Sequence, residues 1–163
     1  MSLTSISSFC GEANEPGLIT IQYLPTAWVN TAAYEELISS NYNWQIDIPL
    51  AMGSWLDAKA FPYKKLWNES QRNAKPAPYY EQLVKGIIPN LKPTVSGLFN
   101  KMGNYTYLLK IKDRQDRDWI LGTLKHPFRF IAKGTTGEGT GLKHHEINFV
   151  AQTPHKAYGF TPI

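Results

Sequence analysis

Apolar and polar positions alternate with a period of two along much of this chain, the pattern of strands with one face buried. Leu18–Leu24 (LITIQYL) alternates and is closed by Pro25, which predicts a first strand. In Asn43–Leu50 (NWQIDIPL), Trp44, Ile46 and Ile48 share one face and Gln45 and Asp47 the other. That is the clearest half-buried strand of the N-terminal half. Phe61–Ser70 and Tyr79–Pro89 predict an antiparallel pair with a long polar connection, Gln71–Pro78, and such connections often serve as interaction surfaces. Further strands are predicted at Tyr105–Lys112, Asp118–Thr123, Pro127–Lys133 and His144–Ala151, with the charged stretch Asp113–Arg117 as a hairpin turn.

The period changes twice. Thr31–Ser39 (TAAYEELIS) predicts a short helix capped by Thr31. In Lys92–Gly103 (KPTVSGLFNKMG), Val95, Leu98, Phe99 and Met102 fall at i, i+3, i+4 and i+7, one apolar stripe to lie on a sheet. Pro93 suits the first turn, and Gly103 stands where a left-handed C-terminal residue is wanted. Gly97 inside the helix costs about 1 kcal/mol relative to alanine, so this helix depends on packing.

At 163 residues the chain is long enough for one domain with a real core. Frequent, scattered Gly and Pro favour short strands joined by turns, so the fold class is mainly β, α+β by count. The organisation read from the sequence is a flexible N-terminal arm (1–17), one β-rich domain (18–152) and a docking tail (153–163). The tail holds Tyr158, Phe160 and Ile163 without periodicity and needs a surface to dock on.

The formal charge of +4 comes from dispersed Lys and Arg, with no like-charged run longer than the pair Lys64-Lys65. Contact with nucleic acid is therefore allowed but not indicated. Cys10 is the only cysteine, so no internal disulfide and no cysteine-based zinc site forms. The residues before it lack the basic start and apolar run of a signal, and no segment has the length to span a bilayer. A soluble protein made in a reducing compartment is expected.

The candidate chemistry is thin. Gly134–Gly141 (GTTGEGTG) lacks the Gly-Lys-Ser/Thr ending of a phosphate-binding loop and precedes a strand, so it reads as a mobile hairpin loop. His144 and His145 are adjacent and point to opposite faces of a strand, which reads as surface or interface histidines. The acids from Asp113 to Asp118 lack the glycine and closing glutamate of a calcium loop. No nucleophile-elbow pattern occurs, and Glu35 and Glu36 diverge on their helix. No catalytic residue, cofactor site or metal site is predicted. Of the five tryptophans, Trp44 and Trp119 read as core, and Trp55 as the exposed one, a subunit contact.

The order YEQLVKGIIP, VSGLFNKM, YLLKIKDRQDRDWILGT, HPFRFIAKGTTGEG and EINFVAQTPHKAYGF over Tyr79–Tyr158 resembles small virion proteins of tailed bacteriophages. It looks most like tail-tube and tail or head–tail joining proteins, including prophage versions from the Bacteroidetes. The resemblance covers about half the chain and is one of pattern. It implies a β-sandwich or small β-barrel with a flanking helix, whose copies join edge to edge into a ring around a channel. It implies no catalytic residues and no cofactor. The partners it implies are further copies, other phage tail or neck proteins and passing DNA, with no membrane. The location is the virion, assembled in the host bacterial cytoplasm. The residues expected at subunit contacts are Trp55, Gly134, Gly137, Glu138, Gly139, Gly141, Tyr158 and Phe160. The basic balance departs from an acidic tube lumen and leaves room for a terminator, completion or connector role. Two other readings stand beside it. One is a carbohydrate-binding β-sandwich using Trp55 or Trp28, and the other a small basic nucleic-acid-binding β-barrel.

Overall fold

The computed structural model describes residues 17–40, 48–89, 92–135, 143–154 and 157–160. Among them nine strands form one antiparallel sheet: β1 (Leu18–Pro25), β2 (Leu56–Asp57), β3 (Leu66–Arg72), β4 (Tyr79–Pro89), β5 (Thr106–Asp113), β6 (Asp118–Leu121), β7 (Phe128–Thr135), β8 (His144–Thr153) and β9 (Tyr158–Phe160). Two α-helices, α1 (Thr31–Ser40) and α2 (Pro93–Met102), accompany it, as expected of a mainly β chain. The strand order is β2-β1-β5-β7-β8-β4-β3, with β6 on β5 and β9 on β6.

β5 is where the sheet forks. One edge pairs with β1, while the other pairs with β7 at Thr106↔Arg129 and Tyr107↔Phe128 and then with β6 from Leu109↔Leu121 to Lys112↔Asp118. The fork lets the sheet curl over, so Ile21 of β1, Val84 of β4, Leu121 of β6, Phe128 of β7 and Phe149 of β8 meet in a single core. The segment 58–61 stitches the curl. The Ala58 N–H donates to the Ile21 carbonyl at 2.8 Å, and the Phe61 N–H to the Ile87 carbonyl at 2.7 Å. α2 covers the core with Phe99 and Met102. A second, smaller core lies on the outer side of β1, β5 and β6 beneath α1, and joins Leu24, Val29, Tyr34, Ile48, Leu108 and Ile120. Both faces of β5 are therefore covered, which is why Tyr107, Leu108 and Leu109 are buried in succession.

Several expectations shift by a residue or a face. Asn30, not Thr31, caps α1: its side-chain oxygen accepts the Ala33 N–H at 3.3 Å. Leu98 is 51 % exposed, so the buried stripe of α2 is Phe99 and Met102 with Val95 beside them. Gly103 is right-handed at φ −60°, because the chain leaves α2 through a turn in which the Tyr105 N–H reaches the Met102 carbonyl. β3 begins only at Leu66, since Tyr63 takes a positive φ and breaks the extended run before it. The two-residue β2 escapes the periodicity. β6 stops before Gly122, whose φ of +82° turns the chain away. The expected strand residues 43–47 and the arm 1–16 lie outside the described residues.

Candidate functional site

Besides the short end strands β2 and β9, the described residues leave an open edge on either side of the four-stranded face β7-β8-β4-β3. On one side, β5 accompanies β7 only to Arg129, so among the described residues no strand pairs with that edge over 130–135. Ile131, 52 % exposed, stands on this stretch together with exposed Ala132 and Lys133. On the other side, β3 pairs with β4 alone among the described residues. An unpaired row of backbone N–H and C=O groups is a template for a further strand.

The expected contact residues fall differently around these edges. Gly134 is a residue of β7 opposite His145, not part of a loop, because the β7–β8 ladder runs on to Thr135↔His144. Gly137, Glu138, Gly139 and Gly141 lie outside the described residues. Tyr158 and Phe160 belong to β9, whose backbone pairs with Ile120 and Asp118, so the tail docks on its own sheet. Trp55 is half-buried against the second core beside Trp28, with the Lys110 ammonium 5.6 Å from its ring centroid. It is therefore not the exposed anchor that its Gly- and Ala-rich surroundings suggest. Trp28 packs so closely over Gly53 that a Cβ there would come within 2.4 Å of its ring. Both tryptophans are part-buried against the second core.

Within the curl, sequence reasoning missed a polar cluster. Gln82 and Thr153 are buried there, and His145 is buried at the other end of β8, since strand parity turns each of them inward with Val84, Ala151 and Ile147. The Gln82 amide donates to Glu69 Oε2 at 2.9 Å and lies 3.4 Å from Thr153 Oγ1, while the Ala157 N–H donates to Glu69 Oε2 at 2.8 Å. Glu69 thus ties the start of the tail to β3 and β4. Trp67 Nε1, Gln82 Oε1 and His145 Nε2 are buried without a hydrogen-bond partner among the described residues. His145 packs edge-on against Phe99 with ring centroids 5.0 Å apart, so it is a core residue and not a surface one. The available signal was its parity with Ile147 and Phe149. Among the described residues no three His, Cys, Asp or Glu side chains group as metal ligands. No described helix is long and apolar enough to cross a membrane.

The β5–β6 turn is built around Asp113. Burial pushes its carboxyl up, but donors outweigh that and hold it below its ordinary value of 3.8. They are the Arg117 N–H and guanidinium, the Trp119 indole and the Gln115 N–H. A carboxylate depressed in the folded state stabilises the fold fully above its unfolded pKa, and that share is lost as pH falls through the folded value. Urea melts from pH 6 down to pH 2.5 should therefore show a shallower acid-side loss for Asp113→Asn than for the parent. Parallel profiles would mean that the turn contributes nothing to acid stability.

No family model, curated protein or solved structure matches this chain.

Proposed function

We propose that this chain is a non-enzymatic virion structural protein, a subunit of a phage tail or of its junction with the head that assembles with its own copies. The observation that supports this reading is the pair of open edges on one four-stranded face, at 130–135 of β7 and along β3. Joining one edge to the other is a head-to-tail contact, which closes into a ring or continues as a filament depending on the rotation per copy. The resemblance of residues 79–158 to tail and head–tail joining proteins supplies the biological setting, with neighbouring tail or neck proteins as further partners.

Light scattering after size exclusion, across concentration, together with negative-stain imaging, tests the reading. Rings, tubes or a mass that rises with concentration are expected for the parent. Ile131→Lys places a charge on the exposed stretch of β7 and is expected to leave a monomer with an unchanged melting temperature. A parent that stays monomeric at the highest concentrations, or an Ile131→Lys variant that assembles like it, would count against edge-to-edge assembly.

A further inference from the structure

The open edges at β7 and β3 are related through the strands between them. Each neighbouring pair in β7-β8-β4-β3 is antiparallel, so β7 and β3 run in opposite directions. A second copy in the same orientation therefore brings its β3 antiparallel to β7, the more stable of the two pairings. Ile131, Asn148, Lys85 and Leu66 stand directly opposite one another in one row, on the face away from Val84 and Phe149. Ile131 and Leu66 end that row, 52 % and 49 % exposed. Among the described residues, no backbone group of 66–71 or 130–135 bonds to backbone outside the β3–β4 and β7–β8 ladders.

The fork at β5 fixes the register. With the row continued straight across, Leu66 of the next copy would meet Ile131, and its Asn68 and Glu69 would fall beside Arg129 and Phe128. β5 already occupies those places through Thr106↔Arg129 and Tyr107↔Phe128. The incoming strand has to slide toward Thr135. An odd slide would turn its core-facing side chains to the outer face. A slide of two residues leaves 134–135 without a partner in β3, and one of six leaves Phe130 without one. A slide of four matches all of 130–135, from Phe130 opposite Gln71 to Thr135 opposite Leu66.

We propose that β3 of one copy adds to β7 of the next in this antiparallel register, with Ile131 opposite Ser70 and Lys133 opposite Asn68. The register names the contact behind the assembly reading and rests on that reading. A second copy is the occupant because one chain carries both edges, opposite in direction and alike in face. From copy to copy the sheet then slides about 13 Å along its strands for about 19 Å across four of them. That is a strand tilt of about 35°, the tilt at which barrels close. A closed ring is the product this register favours.

The test is thiol crosslinking of the full chain with Cys10→Ser, since Cys10 is the only cysteine. Ile131→Cys with Ser70→Cys sets two thiols directly opposite across the contact, on Cβ atoms about 5 Å apart. Dibromobimane, a short bridge between thiols, is expected to give a ladder of dimers, trimers and larger species on a denaturing gel. Lys133→Cys with Asn68→Cys is expected to give the same ladder, so neither pair has to carry the result alone. Ile131→Cys with Leu66→Cys, matched to a straight row, leaves its thiols about 13 Å apart and is expected to give no ladder. Light scattering of the uncrosslinked variants separates the two readings. Variants that assemble like the parent, yet form no ladder with the first two pairs or a stronger one with the third, would overturn the register and leave assembly standing. A dimer from a single-cysteine variant would show a two-fold contact of one edge with itself and overturn the register likewise. A parent that stays monomeric would overturn both readings.

Discussion

Phe149→Ala is expected to lower the free energy of unfolding by about 3–5 kcal/mol. Phe149 is fully buried at the middle of β8, opposite Phe130 of β7 on one side and Val84 of β4 on the other. Three rings surround it, with centroids at 5.2 Å for Phe130, 5.8 Å for Tyr107 and 5.9 Å for Tyr23. The cost of such a hole depends on how far its neighbours collapse into it. Tyr107 cannot follow easily, because its hydroxyl donates to the Met102 carbonyl at 2.9 Å and so anchors β5 to the end of α2. The same burial pushes its phenol up to about 12. Since a domain of this kind has about 5–15 kcal/mol in total, the loss is a large share of its stability. Urea titration followed by tryptophan fluorescence would show the midpoint collapse with the slope retained. A loss below about 1 kcal/mol would mean that the ring cluster repacks freely.

The strands from β4 onward were legible because each has one buried face, and the period of two survives in the sequence. Tyr79–Pro89 shows this most clearly, with Gln82, Val84 and Gly86 inward. Legibility failed where tertiary contacts decide. β2 is two residues held by β1, too short to carry a period. The apolar run before β3 looks extended, but the stitching of 58–61 to β1 and β4 forces a turn at Tyr63. Leu98 fits the helical stripe, yet α2 meets the sheet at an angle that buries Phe99 and Met102 and leaves Leu98 outside. The open edges were invisible for a related reason. Which strand lacks a neighbour depends on the fork at β5, a property of pairing and not of any one segment.

Gly122→Ala, a change of one methyl group, is expected to cost about 2–4 kcal/mol through two separable effects. The first is conformational. Gly122 ends β6 at φ +82°, and an L-residue held in the left-handed region pays roughly 1–2 kcal/mol. Alanine's smaller unfolded-state entropy returns about 0.4–1 kcal/mol of that. The second is steric. A Cβ at this position would lie 2.9 Å from Phe128 Cδ2 and 3.2 Å from Cε2, and Phe128 is fully buried. Its ring cannot withdraw without disturbing β7 where that strand joins β5 at Tyr107. Overpacking of this kind adds about 1–3 kcal/mol. Gly97→Ala provides the contrast within one experiment. A Cβ there meets nothing within 4 Å, and in α2 the change should stabilise by about 1 kcal/mol. Thermal melts should therefore move in opposite directions for the two substitutions. If Gly122→Ala melted with the parent, Phe128 would have room to shift, and the tight join of β5, β6 and β7 would not be what fixes the curl of the sheet.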